Sequence, residues 1–119
     1  MKVLLTLTIS VKSRKAKSRS LQNSVVEILR NKYPNLSAND IKPAIMGESG
    51  IDIKLSDYAR KSLPYGIECK NQESLSIWSA LEQCEENAEL EHLTPLLIFK
   101  RNHSHTYVTL KIEDFINLL

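Results

Sequence analysis

A chain of 119 residues has room for one domain around one core and excludes a second domain of ordinary size, so residues 1–119 are read as a single unit. Its 42% hydrophobic and 25% charged residues exclude a disordered chain, and no apolar run is long enough to span a bilayer. The formal net charge of +2 is too mild to announce nucleic-acid binding, but the charge is segregated. Lys12, Arg14, Lys15, Lys17 and Arg19 form a basic block, and Glu82, Glu85, Glu86, Glu89 and Glu91 an acidic one. Such a division gives one surface a field that attracts phosphate; two solvated helix faces are the plain alternative.

Met1-Lys2 precedes an apolar stretch, Val3 to Ile9, that mimics a signal peptide but runs into the basic block instead of a cleavage site; it is read as a strand. From Lys17 to Lys32, Leu21, Val25, Ile28 and Leu29 have the spacing of an amphipathic helix, which Pro34 ends. Ser37 to Asp40 reads as a capped turn, Pro43 limits Ile41 to Met46 to an edge, and Gly47 to Gly50 forms a tight turn. Ile51, Ile53 and Leu55 alternate with Asp52, Lys54 and Ser56 along a strand, and Ser56 then caps a short helix closed by Pro64.

In the next strand, Tyr65 to Asn71, Ile67 and Cys69 face one way while Glu68, Lys70 and the following Gln72 face the other. Ser76 to Leu90 is an amphipathic helix with Ile77, Trp78, Leu81, Cys84 and Ala88 as its apolar stripe. Strands over 96–100 and 107–112 flank a polar turn holding His103 and His105, and 113–119 closes the chain as a short helix. This order predicts an α/β fold, a mixed sheet flanked by helices. Cys69 and Cys84 lack zinc-ligand spacing; they permit one disulfide, but a cysteine-poor chain without export signals suits a reduced, cytoplasmic setting.

The chemistry-bearing pattern is Asp52, a spacer over 53–67, then Glu68-Cys69-Lys70. Carboxylates at the ends of neighbouring strands converge on a hard divalent cation, which acidifies a water and neutralises charge on a phosphate. Lys70 leaves the same strand face as Glu68, where its ammonium can hold the attacking water or stabilise the oxyanion. A bare ExK triplet is common by chance. The wider setting is more specific: Gly47-Glu-Ser-Gly50-Ile-Asp52 followed by Pro64-Tyr-Gly-Ile-Glu68-Cys-Lys70-Asn-Gln72-Glu73 resembles small phage-type members of the PD-(D/E)xK superfamily, related to Holliday-junction resolvases. The likeness continues upstream through Lys17-Ser-Arg19-Ser-Leu21-Gln22 and downstream through Ile77-Trp78-Ser-Ala80-Leu81-Glu82-Gln83.

That resemblance implies a restriction-endonuclease-like core sheet. It also implies Mg²⁺ or Mn²⁺ held by Asp52, Glu68 and the backbone carbonyl of Cys69, Lys70 as a catalytic residue, and a symmetric homodimer. Archaeal-type resolvases carry a glutamate on the first helix where this chain has Gln22, so Gln22 is expected to orient water or touch DNA; Glu27 and Glu48 are spare carboxylates. Gln72 extends the catalytic face, and Gln83 follows on the next helix. Lys15, Lys17, Arg19, Gln22, Lys100 and Arg101 are expected to meet DNA, mostly at its phosphates. The implied activity is metal-dependent DNA cleavage, on branched junctions first and by general nicking second. A DNA-binding or assembly protein that keeps the fold without activity, and a nuclease acting on RNA, are the alternatives.

Overall fold

The computed structural model describes residues 2–45 and 47–119, with side chains from Lys12 onward. The chain begins with helix α1 (Lys2–Lys32), followed by strands β1 (Ile41–Pro43) and β2 (Ile53–Leu55) and a helical turn α2 (Asp57–Arg60). Strand β3 (Tyr65–Asn71), helix α3 (Ile77–Leu90), strands β4 (Thr94–Lys100) and β5 (Tyr107–Thr109) and helix α4 (Ile112–Ile116) complete it. The expected α/β class is what forms, with the strands divided between a three-stranded sheet, β3-β4-β5, and a two-stranded one, β1-β2.

The order β3-α3-β4 makes a parallel crossover, in register from Tyr65 opposite Thr94 to Asn71 opposite Lys100. β5 returns antiparallel to β4, with Phe99 opposite Tyr107. The small sheet is antiparallel, Ile41 opposite Leu55, and is tied to the larger one where the Asp52 N–H donates to the Ile67 carbonyl at 3.1 Å.

Helix α1 covers one face of β3. Leu21, Val25 and Val26 are buried there with Ile41, Ile53, Leu55, Ile67 and Cys69. Helix α3 covers the opposite face, burying Ala80 and Cys84 against Leu97. Arg30, in the last turn of α1, donates to the Ile41 carbonyl through Nε (3.0 Å) and Nη2 (2.7 Å) and to Ala38 at 3.1 Å, fastening the helix end to β1. Ser56 accepts from the Ala59 N–H at 3.1 Å, the expected cap of α2.

Gly66 explains how closely α3 approaches the sheet. A Cβ at this position would stand 2.6 Å from Ala88 Cβ and 2.9 Å from Ala88 Cα, so only glycine lets helix backbone and strand meet here. At this same end α3 stops in a Schellman arrangement, with Leu93 N–H donating to the Ala88 carbonyl (2.9 Å) and His92 N–H to Glu89 (3.1 Å). His92 holds the left-handed position, at φ 57°, that glycine ordinarily fills.

Three expectations are corrected. Val3 to Ile9 lies within α1 and is not a strand: nothing from Lys2 to Lys32 is glycine or proline, and lengthening a helix needs no new nucleus, whereas a strand needs a partner. Ile28 is exposed and Val26 takes its place in the buried stripe. Trp78 is 78% exposed, because the buried line of α3 runs through Ala80, Cys84 and Ala88 and residue 78 lies about 200° around the helix from residue 80. The two cysteines, read as a reduced pair, are free and belong to clusters on opposite sides of β3.

Candidate active site

Alternation along β3 sends Ile67 and Cys69 into the α1 core and turns Glu68 and Lys70 toward α3. Asp52 comes from the turn just before β2. Its Oδ2 accepts the Cys69 N–H at 2.8 Å, so the carboxylate is pinned to the strand that carries Glu68. The two acids and Lys70 line one cavity of about 330 Å³, shared with Ser18 and Gln22 from α1, the glycine turn at Gly47 to Gly50, and Gln83 and Asn87 from α3.

Crowding two carboxyls here has an electrostatic consequence. Glu68 is 4% exposed, and burial followed by the charge of Asp52 pushes its pKa from 4.5 to about 7, against the pull of Lys70 and a hydrogen bond from Asn87. Burial likewise raises Asp52, opposed by the Cys69 N–H and by Lys70. Burial thus favours the protonated form of Glu68, and a bound cation would displace that proton.

The donor set fits a hard divalent cation. Asp52 and Glu68 offer carboxylate oxygens, and Gln22, 7% exposed, has an Oε1 without any hydrogen-bond partner in the same cavity. Among the described residues no three His, Cys, Asp or Glu side chains gather around one point. Two carboxylates with neutral oxygens and room for water are the oxygen-rich donors that a hard divalent cation takes. The Cys69 thiol is no candidate ligand: it points into the apolar core, where burial holds it protonated.

The remaining residues singled out by sequence fall in several places. Glu48 reaches the cavity but is engaged by Lys54 and by the Ile45 N–H, and Glu27 lines a separate hollow beside Arg30. Gln72 lies outside the cavity, in an adjoining hollow that it shares with Lys70 and Gln83. Lys15 and Arg19 are exposed on α1, while Lys17 is half-buried and pairs with Glu73 at 3.7 Å. Lys100 and Arg101 border a third hollow beyond Gln72. Asn87 and Ser18 escaped the sequence reading. Asn87 Nδ2 is 3.5 Å from Glu68 Oε2 and 3.4 Å from the Gly50 carbonyl, bracing the acid against the glycine turn. Its one available signal was its place one turn after Gln83 on α3.

An α/β scaffold that presents Asp, then Glu-x-Lys, around one cavity defines the nuclease core of the PD-(D/E)xK type. A family model described as "Phage putative PDDEXK endonuclease" matches residues 37–119, and the chain belongs to this family. No curated protein and no solved structure shows detectable similarity. The match begins after α1, so Gln22 and Ser18 enter the cavity from outside the matched segment. Among the described residues no helix is long and apolar enough to cross a membrane.

Proposed function

We propose that the protein is a metal-dependent endonuclease that hydrolyses DNA phosphodiester bonds, with branched DNA as its preferred substrate. The observation that carries this reading is the shared cavity in which Asp52, Glu68 and Lys70 meet beside the unpartnered Gln22 oxygen. Asp52, Glu68 and the Cys69 carbonyl would hold Mg²⁺ or Mn²⁺, which supplies charge neutralisation on the phosphate and an acidified water. Lys70 sets its ammonium beside the phosphate and stabilises the charge that develops in the transition state. Asn87 orients Glu68, the Cys69 N–H orients Asp52, and Gln22 holds water at the cavity wall. Gln72, one hollow away, contacts the strand on the far side of Lys70 from the acids. Lys15, Lys17 and Arg19 on α1 and Lys100 and Arg101 at the end of β4 bind the DNA backbone.

We further infer a homodimer formed by the C-terminal face. Ile112, Phe115, Ile116 and Leu118 are each exposed in or just after α4, and β5, which precedes it, ends the three-stranded sheet. Light scattering on a sizing column reads the stoichiometry, and an Ile112→Glu, Ile116→Glu variant should be monomeric. Catalysis is tested by incubating four-way junction, linear duplex and RNA with Mg²⁺ or with EDTA. Junction cleavage that requires Mg²⁺ and is lost in Lys70→Ala supports the reading. Binding without cleavage under any metal assigns the chain a non-catalytic role, and preferential RNA cleavage assigns it RNA.

A further inference from the structure

The row Lys70, Phe99, Tyr107 runs straight across β3, β4 and β5, each opposite the next in register. Phe99 and Tyr107 form a stacked pair with centroids 5.9 Å apart and planes inclined at 28°. Phe99 is half-buried against the α3 side of the sheet, whereas Tyr107 is 53% exposed. The pair floors a hollow of about 330 Å³ whose walls include the apolar Leu75 and Ile77 and whose rim carries Lys100 and Arg101. The one carboxylate there, Glu73, is already taken by the Asn102 N–H at 3.0 Å and by Lys17 at 3.7 Å, which leaves the rim cationic. A smaller depression lined by Lys70, Gln72 and Gln83 joins this hollow to the cavity of Asp52 and Glu68. An exposed aromatic surface with cations at its edge, two strand spacings from Lys70, or roughly 10 Å, lies within reach of a neighbouring nucleotide of a strand whose phosphate is at Lys70.

We propose that this hollow is a base-stacking subsite, which takes an unpaired deoxynucleotide of the strand being cut onto Tyr107 while Lys100 and Arg101 hold its phosphates. The proposal rests on the nuclease reading for the position of the strand, and it gives that enzyme a means of favouring branched or frayed DNA over intact duplex. A paired base cannot leave its stack without an energetic cost, whereas an unpaired one presents its face freely.

The test is binding of fluorescein-labelled oligodeoxythymidine to the full chain in EDTA, read by anisotropy and compared with an equally long duplex. Tyr107→Ala should weaken oligodeoxythymidine binding by about tenfold and duplex binding by less than about twofold, while Tyr107→Phe stays near wild type. Equal losses on both nucleic acids, equal losses in both variants, or no loss would overturn the subsite, as would oligouridine bound more tightly than oligodeoxythymidine. Circular dichroism of each variant guards against misfolding, and Lys100→Ala, Arg101→Ala supplies a second route, expected to flatten the salt dependence of oligodeoxythymidine binding. Cleavage with Mg²⁺ is scored separately: a protein that cuts but binds without Tyr107 loses only the subsite, and one that binds through Tyr107 but never cuts loses only the nuclease reading.

Discussion

Replacing Glu68 by glutamine should inactivate the enzyme and stabilise the fold at once. The buried carboxyl titrates at about 7 in place of 4.5, so between these values the folded chain holds a proton that the unfolded chain has released. Stability therefore falls as pH rises from 4.5 through about 7, and the full penalty stands above that. The rise corresponds to about 3 kcal/mol, and solvent screening at the cavity mouth reduces it to about 2 kcal/mol. Glutamine keeps the shape without the charge. In EDTA near pH ~8, Glu68→Gln should melt later than wild type by about 8 °C, and near pH ~4 the two should coincide. Far-UV circular dichroism melts at both pH values measure this, and added Mg²⁺ should raise the wild-type Tm while leaving the variant unmoved. A Tm difference that is the same at both pH values, or absent at the higher one, would refute the claim that an ionised Glu68 strains the cation-free site.

The other expectations concern how the scaffold supports that acid. Gly66→Ala drives a methyl into Ala88 and should cost about 3 kcal/mol in urea unfolding, with Ala88→Gly restoring part of it; full stability in the single variant would contradict the close approach of α3. Asp52→Ala leaves the Cys69 N–H without its acceptor and should destabilise by about 1–2 kcal/mol as well as abolish cleavage, whereas Asp52→Asn, which keeps an acceptor oxygen, should lose activity at less cost to the fold. His92→Gly relieves a left-handed residue at the end of α3 and should stabilise by about 1 kcal/mol, read from the same urea midpoint. Arg30→Met, which deprives the Ile41 carbonyl of its donors, should destabilise by about 2 kcal/mol while leaving the cavity and therefore the metal requirement intact.

Within each element, the sequence alone determined what each residue's neighbours along the chain impose. Strand alternation put Glu68 and Lys70 on one side of β3 and Cys69 on the other, Ser56 marked the start of α2, and the glycines at 47 and 50 marked the turn beside Asp52; both adopt positive φ. These features have periods of two to four residues, so a local pattern suffices. Tertiary structure decided which faces oppose one another. It brought Gln22 into the cavity and left Gln72 outside it, engaged Glu48 with Lys54, and turned Trp78 outward. It also set Asn87 against Glu68 through a contact at Gly66 that no spacing announces. The physical reason is that α1 and α3 pack on opposite sides of β3, and the rotation of each helix about its axis is fixed by which side chains fit against the sheet.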